Sequence, residues 1–240
     1  MRTRVVLEPA YLLNRRLYQD SSLLLEAYTR NHGRVGLVAR GARGPKSKLR
    51  GVLQTFSPLL LSWSTTGELG TLTGAEAAGP PLLLSGERIF HGWYLNELLM
   101  RLLQRQDPHP ALFEAYALAM QQLPGDADAA HDALRIFERD LLAEIGYGLH
   151  LPADLEADRR YRYHSEHGAR PVAVAEAGAY RGLSLVELRD GQFSSTATRA
   201  DARRLLREAI AAQLGGRPLE TPRLLRDMRA KADKLEASQS

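Results

Sequence analysis

Apolar and polar residues alternate in short runs along the first 75 residues of the chain. The runs are Ala10–Tyr18, Leu23–Thr29, Gly33–Arg40, Leu49–Trp63 and Leu69–Ala75. Turn-forming residues such as Asn31-His32-Gly33 separate them. Alternation with a period of two is typical of strands that bury one face. Five short strands joined by turns predict a small barrel of the size of an OB-fold.

A helical period replaces this alternation after Gly79-Pro80-Pro81. Apolar residues recur at helical spacing in 86–104, 112–123, 134–145 and 202–210, and Thr221-Pro222 is a start signal for a last helix. From 149 to 195 this period is lost, and short β-like runs occur at Tyr161–Tyr163, Val172–Val174 and Leu185–Leu188. We predict an α+β chain with four parts, at 1–80 (barrel), 81–148 (helices), 149–195 and 196–240 (C-terminal helices).

Charge is distributed unevenly along this pattern. Residues 1–50 hold 11 basic and 3 acidic side chains, whereas residues 51–198 hold 11 basic and 19 acidic ones. Residues 199–240 are again basic, with 10 basic and 6 acidic side chains. A polyanion is therefore attracted to the two ends of the chain and repelled by its middle.

The strongest positive signal lies between Arg30 and Arg50, in a stretch with no acidic residue between Glu26 and Glu68. Gly41, Gly44 and Pro45 predict an irregular loop there. Such a loop allows close approach of the backbone to phosphates, so we predict a nucleic-acid interface. Its candidate residues are Arg34, Arg40, Arg43, Lys46, Lys48 and Arg50. A solvated loop with ordinary surface charge is the alternative.

Two helical positions are weaker candidates. Arg203 and Arg207 stand one turn apart on a predicted helix. They either extend the nucleic-acid interface or form an ordinary solvated helix face. Arg135, with Phe137 beside it, pairs a cation with an apolar surface, which suits an acidic, hydrophobic peptide end. From spacing alone, a surface arginine on an amphipathic helix is the simpler interpretation of Arg135. Barrel aromatics, Tyr11, Tyr18, Tyr28, Phe56 and Trp63, are possible stacking residues or core residues.

Enzymatic chemistry finds no support in the sequence. There is no cysteine, no P-loop spacing around Gly41–Ser47 and no Gly-x-Ser-x-Gly motif. We expect neither catalysis nor a cofactor. The longest apolar runs are far too short to span a bilayer, and the N-terminus lacks a signal-peptide core, so we expect a cytoplasmic protein without a membrane partner.

Several motifs resemble the RecO family of DNA repair proteins. They are Gly33–Arg43, Leu49–Leu59, Tyr94–Leu99, Ala133–Glu138, Gly146–Gly148 and Leu214–Leu219, in family order across nearly the whole chain. The resemblance implies an N-terminal OB-fold, a helical domain and a zinc-ribbon-like region between its helices. Many members hold zinc there with four cysteines. This chain has none, so 149–195 resembles the remnant found in a metal-free branch.

The resemblance also implies partners. Family members bind single- and double-stranded DNA, anneal complementary strands, bind the acidic C-terminal tail of the single-stranded DNA-binding protein SSB, and act with RecR to load RecA. Arg135 occupies the position implicated in the tail site of the metal-free branch. We therefore expect a nucleoid-associated recombination mediator in the cytoplasm. An OB-fold RNA-binding factor is the alternative, and a nuclease or phosphatase is a third hypothesis without a supporting motif.

Overall fold

The computed structural model describes residues 3–172 and 176–237. Its strands are β1 (Thr3–Tyr18), β2 (Ser22–Thr29), β3 (Gly33–Ala39), β4 (Leu59–Thr65), β5 (Leu69–Ala77), β6 (Arg160–His164), β7 (Gly168–Val172) and β8 (Tyr180–Arg181). Its helices are α1 (Leu49–Val52), α2 (Glu87–Leu102), α3 (Pro110–Gln122), α4 (Ala127–Glu144), α5 (Gly182–Asp190), α6 (Thr196–Gln213) and α7 (Glu220–Ala237). The chain forms two compact units, 1–121 with 219–240 and 122–218, which are described separately. The α+β prediction is confirmed.

Five strands close into a barrel in the order β1-β2-β3-β5-β4. The 16-residue strand β1 pairs with both β2 and β4, and its register shifts between Val5 and Glu8 and between Leu12 and Asn14. Such irregularities bend a strand, which lets β1 serve both neighbours. The only parallel pairing among the described strands of the barrel joins β3 to β5 and closes the ring. Alternate residues of β3 (Val35, Leu37 and Ala39) point into a core that also contains Leu12, Leu25, Leu61 and Trp63.

The predicted strand Leu49–Trp63 is wrong in its first part. Leu49–Val52 is a helical turn, and β4 begins at Leu59, directly after Pro58. Helical spacing places Leu49, Val52 and Leu53 on one side, and all three pack against the barrel core. These apolar residues thus cover the end of the barrel as a helical turn. Their spacing along the chain fits a helix and a strand equally well, so the sequence alone could not decide between the two.

Helices α2 and α3 confirm the predicted helical periods and belong to the same unit as the barrel. Asn96 of α2 is buried and joins three elements. Its Nδ2 donates to the carbonyl of Leu13 in β1 (2.9 Å), and its Oδ1 accepts from the hydroxyl of Tyr116 in α3 (2.6 Å). A buried amide that finds both partners fixes the orientation of the elements it joins.

Aromatic side chains fill the interface between the barrel and α3. The rings of Tyr11 and Tyr28 each lie within 6.0 Å, centroid to centroid, of both Phe113 and Tyr116. Burial, followed by the charges of Tyr11 and Tyr28, raises the pKa of Tyr116 well above its ordinary value. Tyr11, Tyr28, Phe56 and Trp63 are all buried, so these four stacking candidates are core residues.

The second unit consists of α4, α5 and α6 with a three-stranded sheet in the order β7-β6-β8. Asp126 caps α4 by accepting from the backbone N–H of Ala129, and Ser195 with Thr198 forms a capping box at the start of α6. Arg139 of α4 donates to the carbonyls of Leu188 and Arg189 at the end of α5. These bonds satisfy backbone groups that helix ends leave open.

Tyrosines organise the three-stranded sheet. The hydroxyl of Tyr161 accepts from the backbone N–H of Glu156 (2.9 Å), and that of Tyr163 accepts from the N–H of His150 (3.2 Å). Tyr180 donates to Glu208 (3.0 Å), and burial and this bond raise its pKa to about 12. The β-like interpretation of Leu185–Leu188 is wrong, because these residues lie in α5. In the predicted run Val172–Val174, Val172 ends β7 and positions 173 and 174 lie outside the described residues.

Candidate nucleic-acid interface

The segment from Arg40 to Arg50 is a chain of tight turns on the barrel. The N–H of Gly44 donates to the carbonyl of Gly41 (3.0 Å), and that of Ser47 donates to Gly44 (3.0 Å). Gly41 has φ +65°, a conformation that favours glycine. Ala42 is buried in the barrel core and anchors the segment. The glycines therefore make the turns, and the single alanine attaches them to the barrel.

Besides Arg43, four exposed cations occupy this segment: Arg40, Lys46, Lys48 and Arg50. Within the part of the chain that the structure describes, none of the four forms an ion pair. We call these four residues the basic segment cations. Exposed cations without acidic neighbours keep their full attraction for phosphate, so this surface is suited to a polyanion.

Arg43 is exposed but tethered to the β1–β2 turn. Its Nη1 donates to the carbonyls of Asp20 (2.9 Å) and Gln19 (3.3 Å), and its backbone N–H donates to Ser21 (3.0 Å). These carbonyl oxygens accept hydrogen bonds from the guanidinium of Arg43 but do not neutralise its positive charge. Arg43 therefore holds the basic segment against the barrel and still contributes to the positive field.

The position of Arg34 in the structure does not agree with the prediction that its side chain contacts DNA. Its side chain is largely buried and bonds to Glu26 through Nη2 (2.7 Å) and Nε (3.1 Å). Its Nη1 donates to the carbonyls of Met100 (2.7 Å) and Leu103 (2.8 Å) at the end of α2. We correct the assignment to a structural role, because the guanidinium is used within the protein. The residue lies on the strand face opposite Val35 and Leu37, as alternation along a strand requires.

Glu26 forms ion pairs with two arginines, Arg34 and Arg105. Arg105 bonds to it through Nη2 (2.5 Å) and Nε (3.3 Å). Burial alone raises the pKa of Glu26, but the hydrogen bonds and charges of Arg105 and Arg34 outweigh it, so the pKa is lowered. Arg30 likewise pairs with Glu114 (2.8 Å). Glu26 on the neighbouring strand and Glu114, which is distant in sequence, thus neutralise Arg34 and Arg30 of the basic stretch, and the local count of charges did not reveal these pairs.

Arg203 and Arg207 are exposed on the same face of α6, in the second unit. Neither forms an ion pair within the described residues. Their neighbour Arg204 is used within the protein, since its guanidinium lies 3.8 Å from the centre of the Tyr180 ring and donates to the carbonyl of Gly178 (2.7 Å). The two predicted cations therefore remain available to a ligand.

Arg135 is buried rather than on the surface, and its Nη2 pairs with Glu138 one turn later (2.7 Å). Its Nε makes no hydrogen bond within the described residues. Phe137 is 1% exposed and belongs to the core. The direct peptide contact predicted for Phe137 is corrected on this ground, because a side chain without accessible surface cannot touch a partner.

Sequence reasoning missed two residues of the first unit. Glu97 is buried in α2, and its carboxylate accepts from the backbone N–H groups of Glu220 (2.7 Å) and Thr221 (2.9 Å). Trp93, on the same helix, is 43% exposed. Both lie in a leucine-rich helical pattern, and although Glu97 falls within the motif Tyr94–Leu99, neither residue was given a role. The signals available from the sequence were their residue types, since an acidic residue and a large aromatic residue stand out in a leucine-rich helix.

Comparison with known proteins decides the family. Residues 1–81 match the family model for the recombination protein O N-terminal domain, and residues 83–223 match the model for its C-terminal domain. The chain belongs to the RecO family of DNA repair proteins. The sequence resemblance to RecO is thereby confirmed, and with it the assignment to DNA repair and recombination.

Relatives cover the RecO-family chain almost completely. The DNA repair protein RecO of Methylococcus capsulatus is 46% identical over 230 residues, in an alignment that covers 93% of this chain and 94% of the relative. That of Nitrosococcus oceani is 45% identical over 236 residues, covering 94% and 95%. That of Coxiella burnetii is 42% identical over 235 residues, covering 94% and 100%. No helix among the described residues of this RecO-family chain is long and apolar enough to cross a membrane.

Proposed function

We propose that this RecO-family chain is a DNA-binding recombination mediator, a binding protein rather than an enzyme. It binds single- and double-stranded DNA and anneals complementary strands. It also engages SSB, and it acts with RecR to help load RecA onto DNA in the nucleoid of the cytoplasm. The observation that carries the proposal is the set of basic segment cations, which are exposed and unpaired within the described residues.

The barrel is proposed to be an OB-fold, because its strand order β1-β2-β3-β5-β4 and the helix α1 between β3 and β4 are supporting features. The two family models meet between residues 81 and 83, which supports a domain boundary after residue 80. We further propose that 149–195 is a zinc-ribbon-like remnant held by its tyrosines. The β7-β6-β8 sheet and the absence of cysteine from the sequence support this interpretation.

Annealing follows from the charge of the barrel surface. Two complementary strands repel each other, and a basic surface lowers this repulsion without reading sequence. Replacing Arg40, Lys46 and Lys48 with alanine is therefore expected to slow annealing of complementary oligonucleotides. A control variant that removes the same charge elsewhere, Arg159→Ala with Arg170→Ala and Arg217→Ala, is expected to anneal at the wild-type rate. Equal rates for both variants would contradict the role of the basic segment.

Competition between nucleic acids separates this function from an RNA-binding factor. Single-stranded DNA and RNA of equal length and sequence are titrated against the protein together with complementary DNA. The mediator is expected to bind both single strands, since backbone charge dominates affinity, and to anneal DNA. Preference for RNA without DNA annealing would favour the RNA-binding alternative. The same titration with Arg203→Ala and Arg207→Ala tests whether α6 contributes to DNA binding.

SSB engagement is proposed to involve Arg135 without direct contact from Phe137. A peptide carboxylate competes with Glu138 for the guanidinium of Arg135, whose Nε makes no hydrogen bond within the described residues. Binding a tail of SSB raises the effective concentration of the mediator on coated DNA. An Arg135→Ala variant is expected to lose affinity for an SSB-tail peptide and to keep DNA binding by the barrel.

A second variant controls for folding. Because Arg135→Ala leaves the buried charge of Glu138 without its partner, the double variant Arg135→Gln with Glu138→Gln serves as the folded control. Unchanged peptide affinity in both variants would remove Arg135 from the site.

A further inference from the structure

A groove of about 580 Å³ lies within the first unit. It is lined by Asn14, Arg15 and Thr55 of the barrel, Trp93 and Arg101 of α2, and Leu224 of α7. These residues combine an apolar floor with cations, and none of them belongs to the basic segment cations. The groove is therefore a separate surface of the same unit.

Trp93 is the large aromatic residue that this groove presents. Its ring is held edge-on by Phe90, with centroids 5.3 Å apart and planes at 79°. Trp63, the other tryptophan of the chain, is 3% exposed in the barrel core. Stacking of an unpaired base requires an accessible aromatic face, and the four buried barrel aromatics cannot provide it. Trp93, at 43% exposure, can.

Arg15 and Arg101 supply positive charge at the same groove. Arg15 is exposed, and one of its donors bonds to the carbonyl of Leu53 (2.8 Å), which leaves the rest of the guanidinium available. Arg101 lies 3.9 Å from Glu97, whose carboxylate accepts from the start of α7. The acidic residue Glu220 also lines the groove but pairs with Arg223 (2.7 Å). Among the described residues, Arg15 is therefore the groove cation that forms no ion pair, whereas Arg101 is paired with Glu97.

The groove is also connected to the basic segment. Thr55 follows α1 by three residues, and α1 carries Arg50. The carbonyl of Leu53 at the end of α1 accepts from the guanidinium of Arg15 (2.8 Å), so the helical turn that carries Arg50 contacts a residue of the groove directly. This continuity of positive charge favours a nucleic-acid strand over an acidic peptide, which needs no extended track.

We propose that this groove binds single-stranded nucleic acid, with an unpaired base stacked on Trp93 and a flanking phosphate on Arg15. The inference rests on the proposed function and deepens it, since it gives the chain a surface that distinguishes single strands from duplexes. A paired base is not available for stacking, so the groove adds affinity for single strands alone.

Intrinsic fluorescence and binding titrations test the proposal on the full chain. Oligo(dT) is expected to quench the fluorescence of the wild type, and Trp93→Phe is expected to abolish the quenching because only buried Trp63 remains. Trp93→Ala is expected to weaken oligo(dT) binding roughly 5- to 150-fold, the range for loss of one stacked base. Its affinity for duplex DNA is expected to stay at the wild-type value. Leu118→Ala, which trims an exposed apolar residue of α3, is the matched control and is expected to bind like the wild type.

Failure of the inference and failure of the proposed function give different results. If Trp93→Ala binds oligo(dT) as the wild type does while the basic segment variant does not, the groove assignment is overturned and the function stands. If the wild type binds no single strand at all, both fall. If an oligo-glutamate peptide quenches Trp93 at lower concentration than oligo(dT), the groove is a peptide site and the proposal is overturned. Trp93→Phe keeps the test valid if the alanine variant does not fold.

Discussion

The Nη2 of Arg34 lies 2.7 Å from the Oε1 of Glu26 across the β2–β3 pair, and the other arm of the same guanidinium binds the last carbonyls of α2. One side chain thus joins the barrel to a helix that begins about fifty residues later in the chain. A cation at a helix C-terminus is favoured by the helix dipole and by the carbonyls left open there. Arg34 therefore links β2 and β3 of the barrel to the C-terminal end of α2 within the first unit.

Arg34→Ala is therefore expected to destabilise the fold rather than weaken DNA binding directly. The substitution leaves Glu26 partly uncompensated and removes the donors at the end of α2, so the free energy of unfolding is expected to fall by about 3–5 kcal/mol. Denaturant unfolding measures the loss. The salt dependence of DNA binding by the folded variant is expected to match the wild type. A flattened salt slope with unchanged stability would show instead that Arg34 contacts phosphate.

Stability is also expected to depend on pH through Glu26. Its pKa is lowered in the folded protein, because the bonds from Arg105 and Arg34 outweigh burial. A carboxyl with a lowered folded pKa contributes its full stabilisation above its unfolded pKa of about 4.3 and loses it as the pH falls through the folded value. The difference in unfolding free energy between the wild type and Glu26→Gln should therefore shrink between pH 6 and pH 3. A difference that is constant over this range would rule out the linkage.

Glu97 is expected to fix the start of α7. Its carboxylate accepts two backbone N–H groups of the first turn of α7, as the side chain of an N-cap residue otherwise does. Glu97→Ala should lower the free energy of unfolding by about 1–2 kcal/mol and expose the amides of Glu220 and Thr221 to hydrogen exchange. Glu97→Gln, which keeps one acceptor, should have an intermediate effect. Unchanged exchange at these two amides in Glu97→Ala would contradict the assignment.

Tyrosine hydroxyls are expected to order the three-stranded sheet. Tyr161→Phe removes the acceptor of the Glu156 N–H and keeps the ring. We expect a loss of about 1 kcal/mol in the free energy of unfolding, the usual contribution of one such bond. Thermal unfolding of the wild type should be the same with and without a metal chelator. A chelator that lowers the unfolding temperature would show that a metal, rather than these tyrosines, holds the segment.

Much of the fold could be predicted from periodicity alone. Alternation gave β2 and β3 nearly to the residue, and helical spacing gave α2, because in these elements one face is buried and the other is not. The same signal failed at Leu49–Val52, where three apolar residues fit both periods, and only the barrel end they cover determines the helix. The prediction of a strand at Leu185–Leu188 was wrong for a similar reason, because four residues are too few to define a period.

The site was less predictable, because charge pairing is a tertiary property. Local composition singled out Arg40, Lys46, Lys48 and Arg50, and none of these four forms an ion pair within the described residues. It could not exclude Arg34, whose partner Glu26 is on the neighbouring strand. Phe137, by contrast, lies at helical spacing from Ala130, Leu134 and Leu141, so the periodicity of α4 already indicated a core position for it.

The salt dependence of single-stranded DNA binding tests the central claim most directly. The apparent affinity of the wild type and of Arg40→Ala with Lys46→Ala and Lys48→Ala is measured for oligo(dT) across a range of salt concentrations. Each lost phosphate contact lowers the slope of log affinity against log salt by about 0.7 for single strands, so the triple variant should lose about 2 units of slope. The control Arg159→Ala with Arg170→Ala and Arg217→Ala should keep the wild-type slope. Equal slopes for the wild type and the basic segment variant would contradict the account.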